Sequence, residues 1–245
     1  MTGTAEPGGA PARCVVFGGS SGIGAAVASL MAEQGCHVVA ASRRATVPPG
    51  TKAAPERCDV RDAGSVARVL QDTLDGGGID WIVYAVGVGY YAPIDERFAP
   101  QWRDILDTNF LGTLTVLAQV RMLPTPIRHF VQIGSLAGTR PSQTPGNDVY
   151  SATKAACALL LARHRAELRA DGVPTKITLI TPGYVGDTDF GRNFFAHAPD
   201  RRQSILDRFP PLSPADVART VGYALTQPDH VELSEIVVRP IEQPD

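Results

Sequence analysis

Tyr150 and Lys154 stand four residues apart near the start of a helical stretch read as Asp148 to Ala170. That spacing places a phenol and an ammonium on one helical face, about 6 Å apart along the axis. A phenol ionises near ~10, too high to exchange protons readily at neutral pH. A neighbouring ammonium is expected to lower that value until the hydroxyl works as an acid or base. Taken alone, Y-x-x-x-K equally describes a solvated helix face. Upstream, Ser135 follows Ile133-Gly134 just beyond the end of an apolar strand, the edge where ligands sit in doubly wound sheets. Asn109 lies in the helical stretch before that strand. It is a mediocre helix former, whose presence a polar contact in a site would explain.

A second constellation lies near the start of the chain. Gly18, Ser20, Ser21, Gly22, Ile23 and Gly24 belong to a loop that joins the strand Cys14–Phe17 to a helix over Ile23–Gln34. Glycines at 18, 22 and 24 permit a tight turn, close approach of backbone to a pyrophosphate, and tight packing of helix on strand. The helix then directs free N–H groups and its positive end at the anion. The spacing is G-x-x-x-G-x-G rather than the commoner G-x-G-x-x-G. About 20 residues on, an NAD enzyme carries an acid for the ribose 2′-hydroxyl. Here the second strand ends in Ser42-Arg43-Arg44. With no carboxylate and two guanidinium groups, a 2′-phosphate is the natural partner of Ser42 and Arg43. NADP(H) is therefore expected over NAD(H), with NAD(H) still possible.

These residues need a scaffold, and strand-like runs alternate with helical ones along the chain. The named runs are Cys14–Phe17, His37–Ala41, Ile79–Ala85, His129–Ile133, Lys176–Ile180 and Glu235–Val238. Helices are expected over Ile23–Gln34, Ala63–Leu74, Pro100–Met122, Asp148–Ala170 and Pro214–Thr226. Continuous apolar strands alternating with helices predict an α/β fold, with helices on both faces of a parallel sheet. Right-handed crossovers make it doubly wound and Rossmann-like, and a seven-stranded sheet takes up the whole chain. We read one domain over 13–245, preceded by a loose Gly/Pro/Ala-rich leader at 1–12. The segment 183–212 has weaker periodicity and holds Phe190, Phe194, Phe195 and Phe209 among charges, as a substrate lid would.

Composition excludes several function classes. The chain has 245 residues, with 23 Lys+Arg against 25 Asp+Glu and a formal net charge of -2. A nucleic-acid binder relying on a basic field is disfavoured. Hydrophobic residues make up 44% and charged residues 20%, as expected of a globular chain with a substantial core. Cys14, Cys36, Cys58 and Cys157 are scattered, with no C-x-x-C pair, so neither a zinc site nor a disulfide framework is expected. No signal peptide and no membrane-length apolar run is read. A reduced cytoplasmic setting, with no metal, no membrane and no nucleic-acid partner, is the expectation.

Taken in order, these motifs resemble the short-chain dehydrogenase/reductase family over about Arg13 to Arg239. The family's T-G-x-x-x-G-I-G loop is matched by Phe17 followed by Gly18 through Gly24. Its catalytic Asn-Ser-Tyr-Lys set falls on Asn109, Ser135, Tyr150 and Lys154, and its adenine-contacting aspartate on Asp59, followed by Val60. Ala85, Val86 and Gly87 stand where the family closes its fourth strand with N-N-A-G, and Tyr84 and Phe17 replace usually polar residues. The turn that covers the nicotinamide is Thr181-Pro182-Gly183-Tyr184-Val185, with Thr188 as the candidate for the carboxamide contact.

The resemblance implies transfer of a hydride between NADP(H) and a ketone or secondary alcohol. Tyr150 would trade the proton and Ser135 would hydrogen-bond the same oxygen. Lys154 would hold the nicotinamide ribose and lower the phenol's pKa, and Asn109 would position a water. It also implies a homodimer or homotetramer, formed through the helices around Leu111–Leu117 and Ala155–Leu161. An epimerase, an imine reductase and a non-catalytic NADP-sensing regulator are the alternatives. A second acid–base residue would come from Tyr90, Tyr91 or Tyr184, each otherwise a wall residue. Substrate choice is expected to lie in 87–98, 136–149 and 183–212, which carry Phe98, Arg140, Arg192 and His197 besides those aromatics.

Overall fold

The computed structural model describes residues 10–140, 145–196 and 199–244. Most of the leader, residues 1–9, lies outside them, as do His197 and positions 141–144 of the loop 136–149. The strands are β1 (Arg13–Phe17), β2 (His37–Ser42), β3 (Ala54–Arg57), β4 (Trp81–Tyr84), β5 (His129–Ile133), β6 (Lys176–Pro182) and β7 (Glu235–Val238). They form the expected seven-stranded sheet in the order β3-β2-β1-β4-β5-β6-β7. Every pairing is parallel. The order reverses between β1 and β4, which opens a crevice at the carboxyl ends of those strands.

The helices are α1 (Gly22–Glu33), α2 (Ala63–Asp75), α3 (Ala99–Ile105), α4 (Gly112–Arg121), α5 (Asp148–Ala170), α6 (Asp189–Phe194), α7 (Pro199–Leu206) and α8 (Pro214–Leu225). One face of the sheet packs on α1 and α8, through Val27, Met31, Val217 and Val221. The other packs on α2, α4 and α5, through Val66, Leu70, Val116 and Leu161. Burial on both faces is why Cys14–Phe17 of β1 and Trp81–Tyr84 of β4 read as continuous apolar runs rather than alternating ones.

Three expectations are corrected. β3 is absent from the named strand runs because Ala54-Pro55-Glu56-Arg57 has no apolar run. At the sheet edge it pairs with β2 alone, and there a proline and charged side chains are tolerated. β4 covers Trp81–Tyr84, shorter than the Ile79–Ala85 run, although the Asp80 and Ala85 N–H groups on either side still donate to the Arg13 and Phe17 carbonyls of β1 at 3.0 and 2.8 Å. The long helical region expected over Pro100–Met122 is present but is not α-helical throughout. α3 and α4 are separated by a π-helical stretch, Leu106–Leu111, that contains Asn109.

α8 shows how local sequence fixes an element end. Pro214 takes the first turn, the Ser213 hydroxyl accepts from the Asp216 N–H at 3.2 Å, and the Ser213 N–H donates back to the Asp216 carboxylate at 2.7 Å. Ser213→Ala removes that reciprocal cap. We expect it to cost about 1 kcal/mol and to lower the midpoint of a thermal melt by about 2–4 °C. An unchanged melt would show the cap to be energetically idle.

Candidate active site

Ser135 leaves β5 after Gly134 and starts a short 3-10 turn, Leu136–Gly138, its hydroxyl accepting from the Ala137 N–H at 3.2 Å. α5 begins beside it, and its first two turns carry Tyr150 and Lys154, both buried. The Lys154 ammonium donates to the Ile133 carbonyl at 3.0 Å and lies 5.7 Å from the centre of the Tyr150 ring. Serine, tyrosine and lysine thus converge at the carboxyl edge of the sheet, as their spacing predicts.

The electrostatics run opposite to one expectation. Burial pushes the Tyr150 phenol up to about 12, and the nearby Ser135 hydroxyl draws it only partly back. Burial also holds the Lys154 ammonium below the ordinary lysine value. Desolvation penalises both charged forms, and here it outweighs the lowering of the phenol expected from the neighbouring cation.

Asn109 braces the site from behind. Its amide oxygen accepts from the Val88 N–H at 2.8 Å, and its amide nitrogen donates to the Val88 carbonyl at 2.9 Å and to Thr153 Oγ1 at 3.3 Å. Its own carbonyl accepts from Thr113 Oγ1 at 2.8 Å and from the Cys157 thiol at 3.3 Å. One residue therefore ties the loop after β4 to α5. A Cβ at Gly87 would stand 3.4 Å from the Lys154 ammonium and 3.7 Å from the Asn109 amide oxygen. Tyr84 and Phe17 replace the family's polar braces by packing. They are paired across β4 and β1, their ring centres are 6.5 Å apart, and the Tyr84 hydroxyl donates to the Thr108 carbonyl at 3.1 Å.

The phosphate loop has the shape its glycines predict. Gly18 has φ +88°, and its N–H donates to the Ala41 carbonyl at 2.8 Å. Ser21 precedes α1 in extended backbone without capping it, so the N–H groups of the first turn keep their capacity for an anion. This is a cradle into which a dinucleotide pyrophosphate fits. Around it lies a cleft of about 950 Å³. The cleft is lined by every residue expected to touch a cofactor or to catalyse, apart from Gly24 and Asn109. Gly24 instead packs α1 against the backbone of Gly18.

At the far end of the cleft, Asp59 is held by Arg61, whose Nε lies 3.0 Å and whose Nη2 lies 2.6 Å from its two oxygens, and its carboxyl falls below the usual range. Arg61 also reaches Asp104 at 3.3 Å, and the Tyr90 hydroxyl donates to Asp104 at 2.7 Å. Arg61 and Asp104 carry no sequence motif, and only the fold brings them to Asp59. Tyr90 is thereby committed as a wall residue, its phenol pushed up to about 12 by burial and by Asp104. Tyr91 packs edge-on against Phe98 at 6.0 Å. Of the expected phosphate partners, Ser42 accepts from the Ala45 N–H at 3.2 Å. Arg43 lines the cleft without a hydrogen bond or ion pair among the described residues, and Arg44 donates to Ser21 Oγ of the phosphate loop at 2.6 Å.

Described residues of the 183–212 segment, Tyr184, Phe190, Phe194 and Phe209 among them, line the cleft. The ends of the segment are joined where Leu212 N–H donates to Tyr184 at 3.0 Å and Gly186 N–H to Leu212 at 2.9 Å. Thr188 caps α6, its hydroxyl accepting from the Gly191 N–H at 3.4 Å. Phe190 then lies 5.0 Å from the Tyr150 ring, and a Cβ at Gly89 would run into it, so the glycine is what admits the ring. Gln243, which no sequence signal marks, accepts from the Tyr184 N–H at 2.8 Å and buttresses the Pro182-Gly183 turn. The four cysteines are buried free thiols. Among the described residues no three His, Cys, Asp or Glu side chains are grouped to hold a metal, and no helix is long and apolar enough to cross a membrane.

Comparison with known proteins follows the same lines. The family model described as short chain dehydrogenase matches residues 12–199. An uncharacterised oxidoreductase of Staphylococcus aureus is 34% identical over 239 residues, covering 93% of this chain and 96% of that protein. Glycine betaine reductase of Emericella nidulans is 33% identical over 242 residues, 94% of this chain but 19% of that longer protein. Among solved structures, serine dehydrogenase complexed with NADP+ superposes with a TM-score of 0.82 at 25% identity, covering 95% of this chain and 96% of that one. A variant of actinorhodin polyketide ketoreductase with NADPH shares the fold at a TM-score of 0.79 and 22% identity, covering 98% of both chains. By the length of the family match and the identity to full-length relatives, this chain belongs to the short chain dehydrogenase family.

Proposed function

We propose that this chain is an NADP(H)-dependent oxidoreductase acting on a ketone or secondary alcohol of small-molecule size. The observation that carries the reading is one cleft lined both by the phosphate cradle and by Ser135, Tyr150 and Lys154. When bound, the dinucleotide supplies or accepts the hydride, and the protein's part is orientation and charge. In the reducing direction Tyr150 gives its proton to the carbonyl oxygen as negative charge develops there, and Ser135 donates a hydrogen bond to the same oxygen. Lys154 anchors the nicotinamide ribose, while Asn109 holds the loop at Val88 and positions the water through which the proton is replaced. Phe190 excludes bulk water from Tyr150, which strengthens each of these interactions. Thr188 and the Pro182–Val185 turn flank the nicotinamide. The exposed Leu111 and Leu159 support a homodimer or homotetramer formed through α4 and α5.

The phosphorylated cofactor is favoured because Arg43 faces the cleft with its donors uncommitted, and the likeness to serine dehydrogenase complexed with NADP+ supports it. The test combines nucleotide binding with a panel of ketones and alcohols of graded size. Arg43→Met is expected to weaken NADPH binding about tenfold and to change NADH binding less than about twofold. Failure of NADPH to be oxidised by any carbonyl in the panel, with the nucleotide bound, would overturn the catalytic reading.

A further inference from the structure

Arg44, expected among the cofactor contacts, joins two separate parts of the cleft in the structure. Its Nε donates to Ser20 Oγ at 3.2 Å, and one terminal nitrogen donates to Ser20 Oγ at 2.9 Å and Ser21 Oγ at 2.6 Å, both on the phosphate loop. The other terminal nitrogen faces the Asp189 carboxylate at 3.4 Å. Asp189 is the first residue of α6, the helix whose next residue, Phe190, lies against Tyr150. A Cβ placed at Gly22 would come into ordinary contact with the Thr188 methyl at 3.5 Å, so the start of α6 lies beside the phosphate loop.

This places a carboxylate beside the cradle of an anion. A ribose 2′-phosphate seated between Ser20 and Arg43 meets Asp189 as a repelling like charge and as a rival for the Arg44 guanidinium. The rival is weak. Side-chain exposures of 56% for Arg44 and 44% for Asp189 make this a solvated pair that a dianion can displace. Asp189 is at the same time paired on its own helix with Arg192 at 2.9 Å, a partner it keeps when Arg44 turns away.

We propose that Asp189 is a selectivity residue, holding Arg44 against α6 until a dinucleotide bearing a 2′-phosphate takes the guanidinium and frees the helix. An unphosphorylated dinucleotide leaves the pair in place. The helix that shields Tyr150 thereby responds to which cofactor is bound. The idea rests on the NADP(H) reading above.

Dissociation constants of NADPH and NADH for the wild type and Asp189→Asn test it, together with amide hydrogen exchange of α6 in the wild-type protein. In the variant the ratio of the two constants is expected to move about three- to tenfold toward NADPH. In the wild type, NADPH is expected to speed exchange in α6 relative to NADH. Equal shifts for both nucleotides, or no shift, or α6 exchange that does not distinguish them, would overturn the proposal while leaving the cofactor reading standing. A chain that binds no NADPH would instead refute the cofactor reading and take this proposal with it. The exchange measurement needs no variant, so a misfolded Asp189→Asn does not spare the idea.

Discussion

Tyr150→Phe is expected to lower kcat for carbonyl reduction about 10²- to 10⁴-fold, the usual contribution of a positioned acid, with NADPH binding changed only a few-fold. The substitution keeps the ring against Phe190 and beneath the Lys154 ammonium, so packing is preserved and the transferable proton alone is lost. The wild-type pH profile carries the same information. With the phenol raised to about 12, it stays protonated through neutral and mildly alkaline pH, and reduction is expected to be flat there. Alcohol oxidation needs the phenolate, so its rate is expected to climb as pH rises toward that value. The Phe190 ring, 5.0 Å from that of Tyr150, is part of the packing that buries the phenol. A variant that turns over within about threefold of the wild type would remove Tyr150 from the chemistry.

The second large effect is at Gly18. Its φ of +88° costs an L-residue about 1–2 kcal/mol. An added Cβ would also lie 2.8 Å from the Ala85 carbonyl carbon and 2.9 Å from the Val86 nitrogen, rigid backbone that cannot turn aside. Overpacking of that kind adds about 1–3 kcal/mol. Gly18→Ala is therefore expected to lower Tm by on the order of 10 °C and to weaken binding of either nucleotide by more than about tenfold, because the cradle is displaced. Gly172→Ala is the control, with a φ of +70° and nothing within 4 Å of the added atom. It bears the dihedral cost alone. Equal losses at the two positions would show that crowding at the β1–β4 crossing contributes nothing.

The reaction side of the site was legible in the sequence because its groups are local. Tyr150 and Lys154 share one helical turn-and-a-bit, the glycines of 18–24 share one turn, and Ser135 directly follows a strand, so periodicity alone orients them. The edge strand β3 was not legible, since an edge position relaxes the apolar run by which strands are recognised. The π-helical stretch at Leu106–Leu111 was hidden for a related reason. Its polar contacts are made with Val88, Thr153 and Cys157, and nothing within the stretch itself announces them.

By itself the sequence determined the doubly wound sheet, the glycine-rich turn after β1 and the placing of Tyr150 and Lys154 on one helix face, since each follows from spacings of a few residues and the periods of strand and helix. Only the tertiary structure decided that Arg61 binds Asp59, that Gln243 supports the turn at Gly183, and that Arg44 is shared between the phosphate loop and Asp189. It also decided the sign of the shift at Tyr150, because a pKa depends on how completely water is removed. That exclusion is produced by α6, β5 and α5 meeting from distant parts of the chain, which no local pattern encodes.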